Sequence, residues 1–352
     1  MTKDVMSMRL ASMTRDDRQP PRPQVSIPAP ERLVLLRTDR LGDVLLNLPT
    51  VHALRRSFPG VRTSLVVRPA IRDLLAGHPD VDEIITYDDK GKPDFNWRRT
   101  DRLARKLRAS RFDAAIVANP KRELHLAVFL AGIPIRVGYH RKWPFLLTHT
   151  VEDRHATTPL HQAQLNLGLL EAIGLQLETP SLRLPVPTEE LVAAHALLAR
   201  HAIAETARVI GLHPWSSNPA KQWPVQQFRA VAEGLVARRY SVLLIGGEEE
   251  RAQAERFLAP LRVPVCDLTG RLNLRELAAV LVCCRALVTN DSGPMHLAAA
   301  VGTPTIALFG HGTAGGPRRW GPWGRGHRIL HRALLAAIEP AEVINAVGEL
   351  VL

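Results

Sequence analysis

The chain reads as an α/β protein built from two doubly wound, Rossmann-like domains in tandem, and three observations predict this. Short strand-like runs alternate with helix-length segments over most of the 352 residues. Those runs are apolar almost throughout, as strands of a parallel sheet covered on both faces must be. The alternating series also occurs twice, once on each side of a proline-rich stretch, and the length suits two domains of roughly 150 residues.

Residues 1–31 mix Met, Arg, Asp and Pro without periodicity and end in QPPRPQVSIPAP, which reads as a flexible tail. Within a first domain over 32–180, the expected strands are LVLLR (33–37), TSLVV (63–67), EIITY (83–87), AAIVA (114–118) and IRVGY (135–139). Between the first two, DVLLNLPTVHALRRSF (43–58) repeats apolar residues at three- and four-residue spacing and predicts one helix. LETPSLRLPVPTEE (177–190) holds three prolines and no helical pattern, which sets a linker at 181–190. The second domain, 191–352, offers strands RVIGL (208–212), SVLLIG (241–246), RALVT (285–289) and TIALF (305–309). Helices are expected near 225–238, 249–258, 274–283 and 293–300, with a closing helix over 332–350. Ligands of such sheets bind beyond the carboxyl ends of the strands, here in the cleft between the domains.

Composition narrows the function classes. With 46% hydrophobic and 23% charged residues the chain is ordinary globular material. No apolar run reaches the ~18 residues of a membrane span, and the N-terminus lacks the apolar core of a signal peptide, so a cytoplasmic location is expected. Cys266, Cys283 and Cys284 show no metal or disulfide spacing and read as reduced, buried thiols. Lys and Arg exceed Asp and Glu by 46 to 34, a net charge of +12 that attracts nucleic acid, anionic lipid or a phosphorylated glycan. Nucleic acid is the poorest of these partners, because no recognition motif is present and only 5% of residues are aromatic.

Three segments at strand ends carry candidate chemistry. RTDRLGD (37–43) follows the first strand. Gly42 permits a tight turn there, Asp43 sits where a carboxylate caps a helix, and Arg37, Asp39 and Arg40 lie at the ligand end of the sheet. The loop lacks the further glycines of a dinucleotide fingerprint, which weakens a dehydrogenase reading. HPWSSNPAKQWP (213–224) places the hydroxyls of Ser216 and Ser217 just before Lys221, a set that suits a phosphate. In TNDSGPMHLAAAVGTP (289–304), Asp291 or Ser292 caps a helix opening at Gly293–Pro294, with His296 one turn inside. Such a terminus offers free backbone N–H groups to an anion. In GGEEER (246–251), Glu248 is the candidate to accept ribose hydroxyls. The only D-x-D, Asp80–Val81–Asp82, precedes a strand and reads as a turn rather than a metal site.

Taken together these blocks resemble glycosyltransferase family 9, the heptosyltransferases of the lipopolysaccharide inner core. RTDRLGDVLLNLPTVHALRRSFP is similar to the family's opening block, HPWSSNPAKQWP to its phosphate loop and NDSGPMHLAAAVGTPTIALFG to its nucleotide-binding signature, the likeness running from about 32 to 324. The resemblance implies a GT-B architecture and an inverting transfer with no metal or other cofactor. It implies ADP-heptose as donor and a lipopolysaccharide inner-core acceptor, with peripheral contact at the inner membrane. Ser216, Ser217 and Lys221 would then hold the donor diphosphate, and Asp291, Ser292, Gly293 and His296 would surround it or the sugar. Glu248, or its neighbour Glu249, would take the ribose, Leu272 would lie against the adenine, and Asp43 would be the general base. Arg40, Lys121, Arg122 and Arg141 are the candidate cations for an anionic acceptor, whereas the basic helix over 97–111 reads as a solvated face. After FG at 309–310 the chain departs from the family pattern with HGTAGGPRRWGPWG (311–324), which keeps another nucleotide sugar or another acceptor open.

Overall fold

The computed structural model describes residues 27–88, 95–175, 180–204, 208–312 and 315–351. The tail expected over 1–31 lies outside the described residues as far as 26, as do positions 313 and 314 of the departing loop.

The first half runs β1 (Arg32–Leu36), α1 (Leu41–Leu45), α2 (Leu48–Ser57), β2 (Arg62–Val67), α3 (Pro69–Leu75), β3 (Glu83–Thr86), α4 (Trp97–Ala109), β4 (Ala114–Val117), α5 (Arg122–Leu130), β5 (Ile135–Tyr139), β6 (His149–Val151) and α6 (Gln162–Leu167). The second continues with α7 (Thr188–Arg200), β7 (Val209–His213), α8 (Val225–Ala237), β8 (Ser241–Leu244), α9 (Arg251–Leu258), β9 (Val265–Asp267), α10 (Leu274–Cys283), β10 (Ala286–Asn290), α11 (Gly293–Val301), β11 (Thr305–Phe309), α12 (Gly316–Trp320), β12 (His327–His331) and α13 (Pro340–Leu350). Each half holds a six-stranded sheet, in the orders β3-β2-β1-β4-β5-β6 and β12-β11-β10-β7-β8-β9. Every paired strand is parallel. Both sheets reverse winding direction once, between β1 and β4 and between β7 and β10, and such switch points open the crevice that receives a ligand.

The central strands are apolar because both faces are covered. Val34, Leu36, Ile210, Leu212, Val288 and Leu308 are wholly buried, each burial stabilising the fold by roughly 1.5–3 kcal/mol. One core cluster joins the halves, running from Leu33 and Leu35 of β1 to Leu281 of α10 and Leu297 of α11.

The expected helix over 43–58 is two helices. Pro49 lacks an N–H and its ring would meet the Leu45 carbonyl in a continuous helix. The chain therefore closes α1 at Leu45 and restarts α2 at Leu48, with the proline in the first turn. The closing helix over 332–350 shortens to Pro340–Leu350, started by a Glu339/Glu342 capping box, and the first part of its expected span is loop with one 3₁₀ turn at Leu335–Ala337. β6, β9 and β12 are edge strands that went unexpected because they are only partly buried and their residues do not form apolar runs. Extended chain over 180–187 precedes α7. No helix among the described residues is long and apolar enough to cross a membrane.

Candidate active site

The loops after β1, β7 and β10, all at switch points, enclose a cavity of about 680 Å³. It is lined from the first half by Arg40, Leu41, Gly42 and Asp43, and from the second by Ser216, Ser217, Lys221, Leu272, Asp291, Ser292, Gly293 and His296, among others. Three motifs far apart in the chain thus meet in one space.

The loop carrying Lys221 is fixed at both ends by tryptophan. Trp215 Nε1 donates to the Ile245 carbonyl at 3.1 Å and Trp223 Nε1 to that of Ile338 at 3.2 Å. The Trp223 N–H donates to Asn290 Oδ1 at 3.0 Å, and Asn290 Nδ2 donates to the Pro214 carbonyl at 2.7 Å, tying the loop to the end of β10. Between these anchors Lys221 Nζ lies 2.7 Å from Asp291 Oδ2, and Arg40 of the other half donates to Ser217 Oγ at 3.1 Å.

Ser292 occupies the N-cap of α11, but its side chain makes no cap bond. Its Oγ instead lies 3.0 Å from Thr289 Oγ1 and 3.2 Å from His213 Nδ1. The Ser292 side chain therefore does not occupy the first-turn N–H groups of α11, and a helix N-terminus attracts an anion. Burial pushes His296 down to about 4 and His213 down to about 3, so both are neutral near pH 7. The cationic charge of this cavity comes from Lys221 and Arg40.

Asp43 does not cap α1 as expected from the sequence. The N-cap is Arg40, and Asp43 stands inside the first turn. Arg37 Nη2 donates to Asp43 Oδ1 at 2.7 Å and Nη1 donates to the Ala118 carbonyl at 2.7 Å, fixing the carboxylate while its other oxygen stays unbonded among the described residues. Gly42 is required sterically, since a Cβ there would sit 2.4 Å from His296 Cδ2 of α11. At Gly293 a Cβ would meet Leu41 only at ordinary contact distance, 3.5 Å.

A second cavity, about 740 Å³, adjoins the first and shares Trp320 as a wall. Its lining includes Arg37, Asp39, Arg141, His155, Gln162, Arg318 and Arg319. Arg319, from the second half, donates to Gln162 Oε1 at 2.9 and 3.0 Å and to the His155 carbonyl at 3.1 Å, linking the halves across the cleft. Arg141 pairs with Asp153 at 2.8 Å. Burial works against the Asp153 charge, but the bonds from His155 and Arg141 outweigh it and hold the carboxyl below its ordinary range. Arg318 is exposed and makes no ion pair or hydrogen bond among the described residues.

Other sequence candidates lie outside both linings. Glu248 is largely exposed and pairs with Arg251 at 3.1 Å. Its neighbour Glu250 lines the first cavity and accepts from the Gly247 N–H at 2.6 Å. Lys121 Nζ lies 3.2 Å from both Asp39 Oδ1 and Thr38 Oγ1, and Arg122 lies over the Trp143 ring. Asp80 contacts His52 and Asp82 contacts Arg55. Sequence reasoning missed Arg318, Arg319, His155, Gln162, His213, Glu250 and Trp320. The signal for three of them was the RRW inside the departing stretch.

The chain matches the family model of glycosyltransferase family 9 (heptosyltransferase) over residues 100–339. It is 27% identical over 291 residues to lipopolysaccharide heptosyltransferase 2 of Escherichia coli K12, covering 79% of this chain and 82% of that one. It superposes on a family 9 glycosyltransferase from Veillonella parvula with a TM-score of 0.83 and 25% identity, over 91% of this chain and 97% of the other. The E. coli heptosyltransferase WaaC solved with ADP shares the fold, with a TM-score of 0.72, 18% identity and coverage of 91% and 99%.

Proposed function

The chain belongs to glycosyltransferase family 9, the heptosyltransferases, and from that membership we propose that it moves a heptose from ADP-heptose to the inner core of lipopolysaccharide, with inversion at the anomeric carbon and no metal ion. The observation that carries this reading is one cavity with Lys221 and the open α11 terminus on one wall and Asp43 on the other, adjoining an arginine-lined cavity. Structures of relatives solved with ADP support the nucleotide.

In this mechanism Ser216, Ser217, Lys221 and the α11 N–H groups bind the diphosphate and stabilise its charge as it leaves. Leu272 lies against the adenine. Glu250 takes the ribose in preference to Glu248, because Glu250 is the carboxylate on the lining. Asp291, neutralised by Lys221, accepts sugar hydroxyls. An acceptor hydroxyl attacks the anomeric carbon from the face opposite the diphosphate, the carbon–oxygen bond to ADP breaks, and the hydroxyl proton passes to Asp43. Arg37 fixes the Asp43 carboxylate for that role, and Arg141 and Arg318 hold the anionic acceptor. The protein works in the cytoplasm, touching the inner membrane where its acceptor resides.

The test is incubation with ADP-heptose and a Kdo-bearing lipid A, following ADP release, acceptor mass and the anomeric configuration of the product. A heptose-sized mass gain is expected, and Asp43→Asn should lower kcat by about 10²–10⁴-fold with little change in KM for either substrate. No gain with the wild type, despite nucleotide binding, would overturn the reading. A second reading, another nucleotide sugar on the same fold, is favoured by Gly312 of the departing loop. A Cβ there would lie 2.5 Å from the Ala220 carbonyl, so this loop packs beside Lys221. A donor screen in the same assay separates the two.

A further inference from the structure

Among the described residues four Phe and Trp side chains are exposed, and all lie in the first half. Phe145 is 75% exposed, Trp97 56%, Phe129 47% and Phe95 45%. Two of them flank Trp143, whose ring centroid lies 5.9 Å from Phe95 and 6.4 Å from Phe145, and Trp97 follows Phe95 by two residues. Arg122 covers one face of Trp143 at 5.5 Å, and Phe129, on the Arg122 face of α5, is covered by Arg136 at 5.6 Å.

The arrangement is built rather than incidental. Lys142 and Trp143 both adopt left-handed backbone, φ 48° and 64°, a conformation that non-glycine residues hold only under constraint. Buried His125 supplies that constraint, its Nδ1 lying 2.8 Å from the Lys142 carbonyl. Buried Glu123 fixes the neighbouring segment by accepting from the Asn96 N–H at 2.5 Å, from Arg99 Nη2 at 2.9 Å and from the Tyr87 hydroxyl.

Further cations lie on α4, which Trp97 opens. α4 carries Arg98, Arg102, Lys106 and Arg108 beyond the pairs Arg105–Asp101 and Arg99–Glu123. Its buried face is Thr100, Leu103, Ala104 and Leu107, so the excess charge faces outward. Lys142 adds one more exposed cation, beside Arg141, which is exposed but paired with Asp153.

We propose that this aromatic and basic face of the first half, centred on Trp143 and Phe145, docks on an anionic lipid bilayer. Aromatic rings settle at the bilayer interface while cations bind anionic head groups. Single-stranded nucleic acid fits less well, since bases need open ring faces and here Trp143 and Phe129 are covered by arginine. Docking also has a use. Arg141 lines the second cavity two residues before Trp143, so the bound surface would hold that cavity close to the head groups. This last step rests on the lipid-linked acceptor proposed above; the binding itself does not.

The full chain is sedimented with phosphatidylcholine vesicles, with and without phosphatidylglycerol. Co-sedimentation is expected only with the anionic vesicles and should fall as salt rises. Trp97→Ser/Phe145→Ser should weaken it about tenfold or more, with ADP binding and circular dichroism unchanged. The same variant should transfer normally to a deacylated, soluble acceptor and slowly to one embedded in vesicles. Failure of the wild type to bind anionic vesicles, equal binding by the double variant, or capture of an RNA oligomer in place of vesicles would each overturn the proposal. Vesicle binding without sugar transfer would leave this surface standing and remove the donor and acceptor proposed above.

Discussion

The cavity around Lys221 and the cavity around Arg318 share the Trp320 wall, yet they are assembled by opposite rules. The first recruits contiguous segments: a loop pinned by two tryptophans, an open helix terminus, and a glycine-containing turn that meets His296. The second recruits scattered side chains from the ends of β1, β4 and β5, the chain before α6, and α12. A diphosphate is bound largely by backbone N–H groups, which require a particular local chain path and therefore a local motif. An anionic sugar is bound by long side chains, which reach a site from anywhere.

If that division is real, damage in one cavity should not register in the other. Lys221→Ala is the severest test. It removes the cation from the leaving group and leaves Asp291 without its 2.7 Å partner. We expect kcat/KM for the donor to fall about 10²–10³-fold, with the acceptor KM unchanged. Adding Asp291→Asn removes the carboxylate charge that Lys221 had balanced and should recover part of the loss. An equal rise in both KM values would show a single merged site.

The same contrast explains what was legible beforehand. Asp43, Lys221, Ser292 and His296 were found because each sits in a motif at a strand end, and the structure brings them to one cavity. Both doubly wound sheets were legible because their central strands are buried on two faces. Of the four edge strands only β3, with its apolar Ile84–Ile85, was legible; partial exposure admits His and Arg into β12, for example. Glu248 or Glu249 was taken for the ribose and Glu250 was missed, because nothing in three consecutive glutamates says which one a one-turn 3₁₀ helix directs inward. Arg319 was out of reach, since its bonds to Gln162 and His155 span more than 150 positions and follow no period.

Titration gives a milder test of the same contrast. His296 is neutral in the fold with its pKa down at about 4, against about 6.5 for an unfolded histidine. Below pH 6.5 the unfolded chain therefore binds the proton first. Stability that is full above pH 6.5 is lost as pH falls toward 4. For His296 alone this amounts to about 2 kcal/mol at pH 5, read as a lower urea midpoint than at pH 7. His296→Gln should flatten that slope, and an unchanged slope would show that burial of this ring does not set it. Arg318→Ala, in the second cavity, should leave the pH slope as it is.

The smallest effect decides most directly between one site and two. Arg318 comes from the same half as Lys221 but lines the other cavity, unpaired among the described residues, and it is close in sequence to Arg319, whose partners are protein groups. Arg318→Ala should raise KM for an acceptor bearing a carboxylate or phosphate about tenfold, the weight of one exposed charge-assisted contact. It should leave the donor KM and the melting temperature alone. An uncharged acceptor analogue should lose nothing. Arg319→Ala should behave differently: losing the bonds to Gln162 and His155 loosens the link between the halves, so the melting temperature should fall and both KM values rise together. If Arg318→Ala instead raises the donor KM, α12 serves the nucleotide, and the departing stretch that carries it selects the donor rather than the acceptor.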